Sequence, residues 1–339
     1  MKTEILNGLQ IAGITTTVEN NCITQSQLIN IQKNQLEKKK LKNSSNIIGV
    51  KKNFFTSKKT TTVDLCLDSA KRLIKNLKWK NKDIDLLVFV TQTPDFLMPS
   101  CSSIVHDKLN LKKDCVSFDI NLGCSGYVYG LWNIYKIMEN GSYKKGLLLV
   151  GDTISKTVNS KDYVNKLLFG DAGTSTAIEK KSNKKSYFVL GSDGKGRNDL
   201  ILDNSGFRKK KFKPEFKMDG KNVFHFAINN VPLMVNKLLK KSLNEIKNIS
   251  YFIYHQANKY MIESISRELG IRKQQLLYSI PDYGNTSSAS IPLTICNNFS
   301  KIKSSKKIFI LGFGAGFSYA GAILDLKNSK ISKIAKKKF

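Results

Sequence analysis

With 339 residues, 41% of them hydrophobic, the chain has enough apolar material for one large α/β core or about two units of ~150 residues. No run reaches the ~18 apolar residues that span a bilayer, and the opening MKTEILNGLQIAGITTTV is broken by Glu4, Asn7 and Gln10, so it reads as a first strand rather than a secretory leader. The formal net charge of +30 does not mark a nucleic-acid binder: only five of the 56 basic residues are arginine and the lysines lie in almost every loop.

A cytoplasmic protein is therefore expected, with no membrane insertion and no nucleic-acid partner. The charge favours encounter with acidic partners. After the first strand, residues 32–60 form a polar excursion around a short helix. Continuous apolar runs with β-branched residues then predict buried strands at 85–93, 115–120, 145–152, 251–256 and 306–313. Helical periodicity marks DLCLDSAKRLIKNL and NVFHFAINNVPLMVNKLLKKSL between them, which makes the class α/β.

The order repeats. Leu148 and Phe309, and likewise Cys124 and Asn285, are separated by 161 residues, within the same strand–turn–helix–strand succession. This predicts two similar halves, 1–180 and 187–326, linked near KSNKKS (181–186), with an inserted polar loop over 191–222. The tail 327–339 has little apolar surface and is expected to be mobile.

The six cysteines contain no CxxC pair and form no cluster with the three histidines, so no metal site is expected. Cys124 differs from the others because it lies in DINLGCSGYVYGL, a glycine-rich turn between strand and helix. At a helix N-terminus its thiol is expected to have a lowered pKa and to act as a nucleophile in acyl chemistry; on this stretch alone a buried structural cysteine is an equal reading. Of the possible partners, His106 reads as a surface residue and His225 as a packing residue. His255 ends a buried strand, at the edge where α/β folds bind ligands. Asn285 in YGNTSSASIP could project its amide into the same cleft or simply cap a helix. GFGAGFSYAG lacks the dinucleotide fingerprint, and its backbone N–H groups could meet an oxyanion.

Taken in order, NLGCSGYVYGL, LLFGDAGTSTAI, HQANKYM, YGNTSSASIPL and GFGAGFSYAGAIL resemble the ketoacyl-ACP synthase III enzymes of the thiolase superfamily, over residues 4 to 326. The resemblance implies a thiolase-like five-layered αβαβα fold from two duplicated halves, usually a homodimer. It also implies that Cys124 accepts an acyl group, that His255 and Asn285 bind the carbonyl of a malonyl-ACP extender, and that the backbone N–H groups of Cys124 and Ala315 form the oxyanion hole. Gln256 and Lys259 would meet the acyl carrier protein, and Met98, reaching in from a partner subunit, would bound the primer pocket. No resident cofactor is implied, since the substrates arrive on the phosphopantetheine of CoA or ACP. The family's CoA-contacting Trp and Arg have no counterparts near Asn43 and Ile47, and Tyr163 replaces a second Arg, so the primer donor is acyl-CoA held differently or acyl-ACP. An acyltransferase of the same fold acting on an amine or alcohol is the alternative.

Overall fold

A computed structural model describes residues 1–208, 214–302 and 307–339. Its first strand, β1 (Lys2–Glu19), is followed by the polar excursion: β2 (Cys22–Thr24), α1 (Gln25–Asn30), α2 (Gln35–Ile48) and β3 (Lys52–Phe54). The alternating part comes next, with α3 (Thr62–Leu77), β4 (Leu86–Val90), α4 (Cys101–Lys108), β5 (Val116–Ile120), α5 (Gly126–Asn140), β6 (Lys145–Asp152), α6 (Tyr163–Leu168) and β7 (Ala172–Ser192). A hairpin of β8 (Leu200–Asp203) and β9 (Glu215–Met218) leads into α7 (Gly220–Ser242), β10 (Tyr251–Tyr254), α8 (Lys259–Glu268), α9 (Ile280–Tyr283) and α10 (Ser290–Asn297). The chain ends with β11 (Ile308–Gly314), β12 (Ser318–Leu324), β13 (Lys330–Ile331) and β14 (Ala335–Lys337).

The helices follow from local signals. In α3, Thr61 and Asp64 form a reciprocal capping box, Leu65, Ser69 and Leu73 recur on one buried face, and the helix ends at Lys78 in the left-handed region. All five predicted apolar runs form strands.

Two long antiparallel strands organise the sheet. Residues 2–7 of β1 face 185–190 of β7, and residues 9–17 face 173–180, with a register shift between Asn7 and Leu9. From one end of this pair the ladder continues as β7–β6–β4–β5, and from the other as β7–β12–β11–β10. β4 is parallel to β6 as β10 is to β11, and a bridge from Phe252 to Leu276 stands where β5 stands in the first ladder. Leu148 and Phe309 thus occupy equivalent strands, β6 and β11.

Strand alternation explains the layers. Leu86, Val88 and Val90 face a core shared with Tyr127, Leu131 and Ile134 of α5, with Ile291 and Ile295 of α10, and with Ile308 and Ile310 from the other ladder. Leu87 and Phe89 face the opposite way, onto α3 and α4. Phe252, Phe309 and Leu311 likewise turn outward, onto α7 and α8. Helices, sheet, helices, sheet, helices: this is the five-layered αβαβα arrangement of the thiolase-like fold.

Three expectations change. The stretch 181–186, read as a link, lies within β7 across the register shift, where Lys185 and Ser186 pair with Asn7 and Leu6 of β1. The tail read as mobile is paired: β13 and β14 lie parallel to β1, Lys337 bonds Asp68 at 2.6 Å, and the ammonium of Lys336 stands 4.9 Å from the Phe54 ring centre. The polar loop 191–222 contains the β8–β9 hairpin and the first residues of α7; its residues 209–213 lie outside the described residues.

Candidate active site

The nucleophile turn is built by close backbone packing. Cys124 precedes Ser125, the N-cap of α5, and β11 passes directly against it. A Cβ on Gly312 would stand 2.7 Å from the Cys124 carbonyl oxygen, and one on Gly314 would stand 2.6 Å from Cys124 Sγ. Gly312 and Gly314 are therefore required by space, and Gly316 by its φ of +66°. Gly314→Ala should slow acyl-enzyme formation by about 10²-fold or more, since displacing a reacting atom by ~1 Å has that cost. Time-resolved mass spectrometry of Cys124 acylation measures it.

The thiol keeps part of its surface open to a cavity, yet protein surrounds it closely. Burial pushes its pKa up to about 12, with the nearby Asp152 carboxylate acting in the same direction; the Ala315 and Cys124 N–H groups pull it down less strongly. The expected lowering at the helix N-terminus is thus overturned, because desolvation outweighs the backbone dipoles.

His255 follows β10, its N–H donating to the Leu311 carbonyl at 2.6 Å. The ring is buried, and Nδ1 lies 2.7 Å from Ser290 Oγ. Burial lowers its pKa to about 3, with the Ser287 backbone pulling weakly the other way, so the imidazole is neutral near pH 7. In the tautomer that accepts the Ser290 hydroxyl at Nδ1, the ring proton sits on Nε2.

Asn285 is held by its backbone. Its N–H donates to the Leu168 carbonyl at 2.8 Å, and its own carbonyl accepts from the Gly170 N–H at 3.1 Å. Oδ1 accepts the Ser287 N–H at 2.9 Å, which fixes the amide orientation and leaves Nδ2 as the donor to the cavity. Gly284 precedes it with φ +66°, and a Cβ there would meet Asn53 Oδ1 at 2.4 Å.

Cys124, His255, Asn285 and Ala315 line one cavity of about 500 Å³. Its walls are apolar, with Leu168, Phe169, Leu202, Phe216, Met261 and Phe313 among them, a shape suited to an extended thioester arm. Two other expected site residues lie apart from it. Met98 is 86% exposed and Lys259 is half-exposed, with its ammonium 3.9 Å from Glu263. Gln256 does not fit its expected role. It is fully buried, its Nε2 donates to the Tyr254 carbonyl, and its Oε1 accepts from the Ser279 and Ile280 N–H groups, so it cannot touch a carrier protein. His225, read as a packing residue, is exposed on α7.

The sequence reading missed Ser290, which contacts His255 across 35 residues, and Asp152, which joins the cavity's two sides. Asp152 ending a buried apolar strand was a usable signal. Ser290 had none beyond its place in SSAS.

Family models described as 3-oxoacyl-[acyl-carrier-protein (ACP)] synthase III and its C-terminal part match residues 118–194 and 239–326. The chain is 34% identical over 294 residues to the beta-ketoacyl-[acyl-carrier-protein] synthase III of Clostridium tetani, covering 81% of this chain and 87% of that one. To the protein of the same name from Acholeplasma laidlawii it is 32% identical over 269 residues, covering 78% and 84%. The crystal structure of a 3-oxoacyl-(acyl-carrier protein) synthase from Burkholderia xenovorans superposes with a TM-score of 0.94 at 32% identity, over 99% of both chains. The priming beta-ketosynthase of the R1128 polyketide pathway, at 22% identity and a TM-score of 0.85, shares the fold.

Proposed function

The chain belongs to the 3-oxoacyl-[acyl-carrier-protein] synthase III family and is a condensing enzyme of that class, and on this premise we propose that Cys124 carries the acyl primer while His255 and Asn285 serve the decarboxylating step. The observation that carries the reading is the single cavity shared by a thiol, a neutral imidazole and a carboxamide.

Cys124 Sγ attacks the primer thioester. The oxyanion takes up the Ala315 and Cys124 N–H groups, which in the free enzyme donate to sulfur. The carrier leaves as its thiol, taking the proton that Cys124 gives up, and the acyl-enzyme remains. A malonyl thioester then places its carbonyl oxygen between His255 Nε2–H and Asn285 Nδ2–H. Loss of CO₂ leaves an enolate on that oxygen, stabilised by two donors that strengthen as charge develops. Its carbon attacks the acyl-cysteine, the Cys124 thiolate departs, and the 3-oxoacyl chain stays on ACP. No step requires a resident cofactor.

Asn285→Ala should lower CO₂ release from malonyl-ACP by about 10²-fold, one donor's worth, with Cys124 acylation changed by less than about threefold. Equal loss in both half-reactions would contradict the assigned roles.

Two further features belong to this reading. The exposed apolar tip Phe96, Leu97 and Met98 supports a homodimer in which Met98 bounds the partner's primer pocket; light scattering tests it. Lys259 would meet the acidic carrier protein. A groove lined by Lys38, Lys39, Lys42 and Lys51 supports a donor whose CoA phosphates are held by ammonium groups in place of the missing arginine.

A further inference from the structure

Asp152, at the end of β6, is fully buried and takes no part in the steps above. Its carboxylate accepts five hydrogen bonds. Oδ1 receives Thr91 Oγ1 at 3.0 Å, the Gln92 N–H at 2.8 Å and Thr93 Oγ1 at 3.2 Å. Oδ2 receives the Ser288 N–H at 3.1 Å and Ser288 Oγ at 2.6 Å. The first three donors extend β4, and the last two belong to the turn that carries Asn285. One buried carboxylate therefore ties the two sides of the cavity together.

That turn needs holding. Ser287 has φ +51°, a left-handed conformation that is strained for a non-glycine residue and persists only where its surroundings enforce it. Its N–H is the donor that orients the Asn285 carboxamide. Gln92, whose N–H is fixed by Asp152, also lines the cavity.

We propose that Asp152 is a positioning residue for decarboxylation, fixing Ser288 and, through Ser287, the direction of the Asn285 amide. Only a carboxylate can accept on both sides; an asparagine would turn an N–H₂ group toward one set of donors and leave them unpaired. The inference rests on the condensation reading for its kinetic part alone.

With the full-length enzyme, Asp152→Asn should slow CO₂ release from malonyl-ACP by about 10²-fold, the scale of losing one aligned donor, while Cys124 acylation by acyl-CoA is not slowed, because the lost charge only eases ionisation of the thiol. The double variant with Asn285→Ala should be no more than about threefold slower in CO₂ release than Asn285→Ala alone, because both act through one amide. Equal loss in both half-reactions, or full multiplication in the double variant, would overturn the proposal. If Asp152→Asn does not fold, Ser288→Ala removes one of the two turn-side donors and should cost about tenfold in CO₂ release only. Hydrogen exchange at the Ser287 and Ser288 amides reads the clamp without any reaction. It should quicken by about tenfold or more in either variant, and unchanged exchange would overturn the proposal. A wild-type enzyme that releases no CO₂, beside variants with faster exchange, would sink the condensation reading and leave the clamp standing.

Discussion

Cys124→Ala should form no acyl-enzyme with any acyl-CoA or acyl-ACP primer, a loss of about 10⁴-fold or more in condensation, as removal of a covalent nucleophile entails. The wild-type protein should gain the mass of one acyl group on the peptide containing Cys124, and the variant none. CO₂ release from malonyl-ACP should survive in the variant, because His255 and Asn285 are untouched. An acyl adduct persisting in the variant on Cys22, the exposed cysteine, would remove the basis of the assignment. With its pKa pushed up to about 12, the thiol of the free enzyme should also react with iodoacetamide at a rate still climbing tenfold per pH unit above pH 9. A plateau below pH 8 would mean that the backbone donors outweigh burial.

The fold was legible where side chains alone decide it. Leu86–Val90 and Ile308–Gly314 are buried on both faces, so their apolar runs had one reading. The site was legible where a motif concentrates glycines around a reactive atom, as Gly123, Gly126, Gly312 and Gly314 do around Cys124. What escaped depends on backbone pairing and on distant partners. Lys330–Lys337 are fixed by hydrogen bonds to β1, which a lysine-rich tail does not advertise. Gln256 stands beside His255 in sequence but turns into the core, because its amide satisfies three backbone groups at once. The direction of the Cys124 shift required the density of atoms around the sulfur, which no local pattern encodes.

His255→Ala should reduce CO₂ release from malonyl-ACP by about 10³-fold, the upper range for one preorganised donor, because it also leaves Ser290 Oγ without its ring partner. Acyl transfer to Cys124 should fall far less. The decisive property is charge. Burial holds the folded-state pKa of the imidazole near 3 against an ordinary 6.5, so the ring neither titrates nor changes role between pH 5 and 9. CO₂ release in the wild type should then show no inflection near pH 6.5, whereas a histidine acting as a titrating base would produce one. Stability carries the complementary sign. Below pH 6.5 the unfolded chain takes up a proton that the folded chain refuses, so stability present above that pH is lost as pH falls toward 3. Urea midpoints measured from pH 7 down to pH 4 should fall in the wild type by one proton's slope more than in His255→Ala. Parallel slopes would mean that the imidazole is solvated, and the neutral-donor role would fall with it.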